Sequence, residues 1–366
     1  MTNPDLIRFI TKNAKKWIKD NPGAQIISLS TGDFTNTCEC PRCKAAYEKY
    51  GKTGVLVRLV NQVAAELAKE YPDILVDTLA YYWTREPPKN IKMHKNVVVR
   101  YCAGGATCYY HTLDECELNK ARNMYENLLD WIRITPRVWV WYYVHGGDEL
   151  HPIPVFNSIS HNFKLMRDAG VKGFFIQTAW GRMLRNGGGL LDLQAYLFAK
   201  VIWDPDYDVQ KGIEEFARDC YGAAAGQIIS YVKMVDDEDS YTGTLPEYAQ
   251  DSVDKHKLPF NRFHAAGGWM MPMRKDKLGL MDKLFDEAER AVADDPGALE
   301  RVKVVRLSVQ YAILVYANAN DPIYAKALRD FPAVARRAGV SRVRRTKDRA
   351  EVDLDVFLKE RQSLLK

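Results

Sequence analysis

The chain has 366 residues, 47% hydrophobic and 27% charged, which is ordinary globular usage with length for two domains that each bury a core. Its 52 basic and 47 acidic residues balance to +5, a mixed surface that speaks against a nucleic-acid partner; the one basic run, Arg336 to Arg349, carries no aromatic ring to stack on bases and reads as a solvated face. No apolar run reaches the roughly 20 residues of a membrane helix, so no membrane partner is expected, and "MTNPDLIRFITKNAKKW" lacks the apolar core and cleavage site of a signal peptide, which at face value leaves the chain in the cytoplasm.

The chain opens in a helical pattern, with Leu6, Ile10 and Trp17 on one face. Five short apolar, β-branched and aromatic runs follow: Ala24 to Thr31, Asp73 to Tyr82, Asn96 to Cys102, Arg137 to Val144 and Val171 to Trp180. Each predicts a buried strand. Between them, spacings of three and four place Leu56, Val60, Val63 and Leu67 on one helix face, Ala121, Tyr125, Leu128 and Ile132 on a second, and Ile159, Phe163 and Met166 on a third. Strands alternating with helices predict a parallel sheet covered on its outside. Beyond Trp180 the strand pattern fades. Gly187 to Gly189 lead into an apolar helical run to Trp203 that Pro205 stops, and two later amphipathic segments hinged at Asp295, Pro296 and Gly297 predict a helical hairpin. The expected division is an α/β part over residues 1–185 and a mostly helical part over 186–366.

In parallel α/β architectures ligands bind at the carboxyl ends of the strands, so chemistry is expected in the loops that follow them. Asp33 lies past the first strand, Tyr81 and Tyr82 end the second, Cys102 to Cys116 follow the third, His145 to His151 the fourth, and Gln177 to Arg182, with Trp180, the fifth. Trp139, Trp141 and Tyr143 alternate onto one strand face, which stacks on sugar rings where it meets a cleft; Trp139 reads as core. Asp148 and Glu149 sit on a glycine-rich loop, "VHGGDELHP". The stretch "STGDFTNTCECPRC" sets Asp33 just ahead of Cys38, Cys40 and Cys43. Cys40 and Cys43 have the C-x2-C spacing of a zinc knuckle, Cys38 adds a third thiolate, and Cys102, Cys108, His111 or Cys116 offer a fourth ligand; in an exported chain, disulfides are the rival. Under either reading the cysteines are structural. No cofactor is required, and a structural zinc is the one metal the spacing suggests.

The strings "ISLSTGDFTNTCECPRC", "VNQVAAELAKEYPDILVDTLAY", "PIPVFN", "GFFIQTAW" and above all "AYLFAKVIWDP" resemble the domain-of-unknown-function 4838 family (DUF4838), a family related to glycoside hydrolase family 163, from about Asp5 to about Val235. The resemblance implies a TIM-type (β/α)8 barrel followed by a helical region. The five strands then supply about five βα units, the C-terminal portion of the barrel, and the N-terminal units would come from upstream sequence or a partner chain. With an export signal ahead of them, the protein would be secreted or periplasmic.

The same resemblance implies an endo-β-N-acetylglucosaminidase-like glycosidase acting on N-acetylglucosamine-containing glycans, with hydrolysis assisted by the sugar's own acetamide. Asp33 is then the best-placed carboxylate, with Asp148 and Glu149 next. Tyr81 or Tyr82 would donate to the acetamide oxygen, and Trp141, Tyr143, His145, Gln177 and Trp180 would line the glycan. Two positions depart from the family pattern: Tyr142 follows Trp141 where an acid is expected, and Ile176 precedes Gln177 where glutamate is common. They leave two alternatives open, a catalytically inactive carbohydrate-binding barrel fragment and a cysteine- or metal-stabilised structural module.

Overall fold

The computed structural model describes residues 1–34, 36–103, 111–143, 150–177, 190–242, 272–345 and 351–365. Its elements in chain order are α1 (Pro4–Asp20), β1 (Ile26–Ser28), α2 (Pro41–Ala68), β2 (Leu75–Ala80), β3 (Val97–Ala103), α3 (Glu117–Ala121), α4 (Met124–Ile134), β4 (Val138–Tyr143), α5 (Phe156–Ala169) and β5 (Gly173–Gln177). Then come α6 (Leu191–Trp203), α7 (Val209–Tyr221), α8 (Ala225–Asp236), α9 (Lys275–Ala291), α10 (Pro296–Tyr316), α11 (Pro322–Arg337), β6 (Arg342–Arg345), β7 (Glu351–Asp353) and α12 (Leu354–Ser363). Contacts group them into two interleaved units. The first joins Met1–Gly105, Asn123–Tyr142 and Leu165–Phe175, and the second joins Ala106–Arg122, Tyr143–Lys164 and Ile176–Lys366. The division expected between residues 185 and 186 lies outside the described residues.

Local chemistry explains where the first helices begin. Asn3 accepts the Asp5 N–H at 3.0 Å, and Pro4 fills the first helical position, where a missing N–H costs nothing. Pro41 does the same for α2, with Cys40 as its N-cap. Gly51, at φ 72° and ψ 165°, interrupts α2 in a conformation that a side chain would strain.

The five strands form one sheet in the order β1-β2-β3-β4-β5, with β1–β2, β2–β3 and β3–β4 all parallel. This strand order is decisive for architecture. Parallel crossovers are right-handed, so a sheet built in sequence order carries its crossover helices on one face, whereas a doubly wound sheet reverses direction at a switch point and is covered on both. The two faces differ accordingly. Ile27, Val76, Val99, Tyr101, Val140 and Tyr142 alternate onto one face and are all buried. The Tyr101 hydroxyl donates to the Met124 carbonyl at the start of α4, 2.7 Å away, which marks this face as the helix-covered one. The opposite face carries Ser28, Asp77, Arg100, Trp139, Trp141 and Phe175, and there exposure rises to 47% at Phe175. Such a parallel sheet, wound in one direction, has the organisation of a barrel segment.

The second unit is mostly helical. The expected hairpin is α9 and α10, with the Asp295 side chain capping α10 by accepting the Ala298 N–H at 2.9 Å. Buried Arg306 on α10 holds it together: its guanidinium bonds Asp282, Asp286 at 2.8 Å and Glu289 at 2.7 Å, while Lys326 of α11 bonds Asp282 at 2.8 Å and Asp286 at 2.7 Å. The basic run departs from its sequence reading in part. Arg342–Arg345 is a strand paired antiparallel with Glu351–Asp353, and inward-facing Val343 and Val352 anchor the hairpin. Among the described residues, no helix is long and apolar enough to cross a membrane.

Candidate active site

The carboxyl ends of β1 and β2 lead into the loops that carry Asp33 and the tyrosine pair. Asp33 is exposed in the loop after β1. Tyr81 and Tyr82 follow β2 with ring centroids 4.0 Å apart, and Tyr82 is itself exposed. The Tyr81 phenol is pushed above the ordinary tyrosine range, first by burial, then by the Tyr82 hydroxyl, with the nearby Asp33 carboxylate adding to it. Asp33 and the tyrosine pair therefore lie within electrostatic reach of one another.

Backbone strain marks the same spot. Tyr82 adopts φ 48°, a left-handed conformation that an aromatic residue rarely holds. Thr84 holds the turn in place, its hydroxyl accepting the Tyr81 N–H at 2.9 Å and lying 2.8 Å from the Tyr81 carbonyl and 3.0 Å from that of Leu79. Strain of this kind persists only where the surroundings over-determine it, and it gathers at functional sites.

Deeper on the open face lies a pair that the strand patterns concealed. Asp77 of β2 is 1% exposed and meets the Arg100 guanidinium of β3 in an ion pair at 2.6 Å, while neither of its carboxylate oxygens makes a well-aligned hydrogen bond among the described residues. Arg100 also lies 5.8 Å from the Trp141 ring and 6.0 Å from that of Trp139. Charged residues inside an otherwise apolar strand are rare unless paired, so Asp77 and Arg100 were the signal available in the sequence. Trp141 stands edge-on to Phe175 at 4.5 Å, forming an aromatic platform on this face. Trp139 shares the face but packs against β5, where a Cβ on Gly173 would come within 3.1 Å of its ring.

The remaining expected residues are spread more widely. Tyr143 is buried at the end of β4 and Gln177 is half-buried at the end of β5. His145, Asp148, Glu149 and Trp180 lie outside the described residues, as does Cys108. The two positions that depart from the family pattern, Tyr142 and Ile176, alternate away from the face that carries Trp141 and Phe175. Both changes therefore fall on the outer side of the sheet.

The three clustered cysteines do converge. Their sulfur atoms lie within 4.8 Å of one another, Cys43 buried and Cys38 and Cys40 exposed, and all three are thiols. Burial opposes ionisation of Cys43, but hydrogen bonds from the side chain and backbone of Thr2 and from Cys40 outweigh it and bring the thiol down to about 6.

A parallel sheet wound in sequence order, with a carboxylate and paired tyrosines in the loops after its first strands and an aromatic pair on one face, defines an α/β protein of the barrel-segment kind. The family model described as "Domain of unknown function (DUF4838)" matches residues 1–233, and the chain belongs to that family. No curated protein matches it. Among solved structures, one described as a "GH138 enzyme targeting pectin rhamnogalacturonan II" aligns with a TM-score of 0.44 at 10% identity, covering 99% of this chain and 70% of that one.

Proposed function

We propose that this chain is the C-terminal portion of a (β/α)8 glycoside hydrolase of the family 163 kind, acting on N-acetylglucosamine-containing glycans by substrate-assisted hydrolysis. The observation that carries the reading is exposed Asp33 in the loop after β1, within electrostatic reach of the stacked Tyr81–Tyr82 pair after β2. In this reading Asp33 orients the acetamide or protonates the scissile region, Tyr82 donates to the acetamide oxygen, and Trp141 with Phe175 stacks against a sugar face. Asp148 or Glu149 supplies the second carboxyl group that glycosidic cleavage needs. In this reading further βα units, from upstream sequence or a partner chain, complete the barrel, because a closed barrel leaves no edge unpaired.

The test compares the parent with Asp33→Asn, each in the protein with its complete barrel, on a glycan with an N-acetylglucosamine reducing end, with glycan affinity measured separately. The substitution keeps side-chain volume and removes the charge. Turnover should fall by about 10² to 10⁴ with affinity changed only a few-fold. Turnover within a few-fold of the parent would remove Asp33 from the mechanism, and binding without turnover in both forms would make the protein a carbohydrate-binding barrel.

A further inference from the structure

We propose that Cys38, Cys40 and Cys43 together hold one thiophilic d10 cation of the zinc class, bound through three thiolates with a solvent-derived ligand in the fourth position. The argument begins with backbone geometry. Cys40 is the N-cap of α2, extended at φ −66° and ψ 152°, and Cys43 follows in the first turn, which the Lys44 N–H closes on the Cys40 carbonyl at 3.0 Å. A cap residue and the residue three positions on lie over the same side of that turn. Cys38 comes two residues before Cys40, so in extended chain both side chains leave on the same side. Three thiols thereby converge with sulfur atoms within 4.8 Å of one another. A tetrahedral site with metal–sulfur bonds of about 2.3 Å needs sulfurs about 3.8 Å apart, a small contraction of what is present.

The electrostatics favour a metal over the alternatives. Three thiolates around a divalent cation leave one net negative charge, which sits at the positive end of the α2 macrodipole, where Cys40 makes no side-chain capping bond. A disulfide would join two of the sulfurs and strand the third, whereas a metal uses all three. Binding forms three sulfur–metal bonds and releases to solvent every proton still carried by the thiols, so it tightens as pH rises. Among the described residues no further cysteine, histidine or carboxylate joins the cluster, and Cys38 and Cys40 face solvent, so the fourth position is open to water. The site would clamp the loop that carries Asp33 to the start of α2. It stands whether or not Asp33 is catalytic.

The experiment is an anaerobic titration of the reduced, chelator-treated 366-residue chain with Co²⁺, followed by displacement with Zn²⁺. The expected result is thiolate-to-cobalt charge transfer and tetrahedral d–d bands saturating at one equivalent and bleached by one equivalent of zinc. Cys38→Ser and Cys40→Ser alter exposed side chains and should leave the far-UV spectrum intact. Each should weaken binding by more than the 10–100-fold that losing even an outer-shell partner costs a metal site. Cys220→Ser should bind as the parent does. Absence of the bands from the folded parent, or bands of parental strength in both serine variants, would overturn the assignment, as would an intact-mass loss of two hydrogen atoms, metal removed, showing a Cys40–Cys43 disulfide in chain prepared without air.

Discussion

Removing Arg100 should destabilise the first unit severely, and the size of the effect follows from what it leaves behind. In Arg100→Met the Asp77 carboxylate stays 1% exposed, with Oδ1 already lacking a partner and Oδ2 deprived of its ion pair at 2.6 Å. Breaking a buried pair by deleting one member costs about 3–5 kcal/mol, because an uncompensated charge remains in a poorly solvated place. The Arg100 side chain is 23% exposed, so water can approach and the lower end of that range applies. Its contacts with the Trp139 and Trp141 rings contribute about 0.5–1 kcal/mol more. A loss of about 3.5–4 kcal/mol corresponds to a fall in thermal midpoint of about 7–16 °C for a unit of this size class. The assay is urea unfolding followed by circular dichroism, with Asp77→Leu/Arg100→Met measured alongside. Replacing both partners with apolar groups should restore stability to within about 1 kcal/mol of the parent. A single substitution costing under about 1 kcal/mol, or a double variant no more stable than the single, would refute the buried-charge argument.

Two further outcomes are expected. Asp286 is held below the ordinary carboxylate range: burial opposes its ionisation, but hydrogen bonds and charges from Lys326 and Arg306 outweigh that. Its contribution is therefore complete above the unfolded value of about 3.9 and lost as pH falls through the depressed folded value, so melts monitored by circular dichroism should drop steeply below about pH 4 and less steeply in Asp286→Asn. Gly173→Val would press a branched side chain into the Trp139 ring, whose atoms lie 3.1–3.3 Å from the position of a Cβ, and should cost about 1–3 kcal/mol with a shift in tryptophan emission; an unchanged midpoint would show that the ring has room to move.

What the sequence spells clearly is what burial repeats. Val97, Val98 and Val99 are all fully buried, as are Val138 and Val140, so these strands read as continuous apolar runs and were legible without any three-dimensional information. The α9–α10 hairpin was equally readable, because Asp295 and Pro296 mark a cap and a first turn independently of packing. The β6–β7 hairpin was not. In "RVRR" only one apolar position alternates with charge, and the pairing partner that gives Val343 its burial lies beyond residues 346–350, which are not described. The start of α2 was hidden for a different reason: the spacing of Cys38, Cys40 and Cys43 reads as ligand spacing, and only the backbone reveals that Cys40 is also a helix cap.

The candidate site divides along the same line. Asp33 is proposed by a rule of architecture, since a carboxylate just past a parallel strand lies where ligands bind in such sheets, and that rule needs only the strand order. Asp77 and Arg100 were missed because each sits in a run dominated by Val and Leu, where one charge reads as an exception. Taken together they are a statement about topology. An acid in one strand and a base in the next, each costly to bury alone, are mutually satisfied only when the strands are neighbours and both residues alternate to the same face. The register that pairs Asp77 with Val98 and Leu79 with Arg100 meets both conditions. It also sets both residues on the face that carries Trp139 and Trp141.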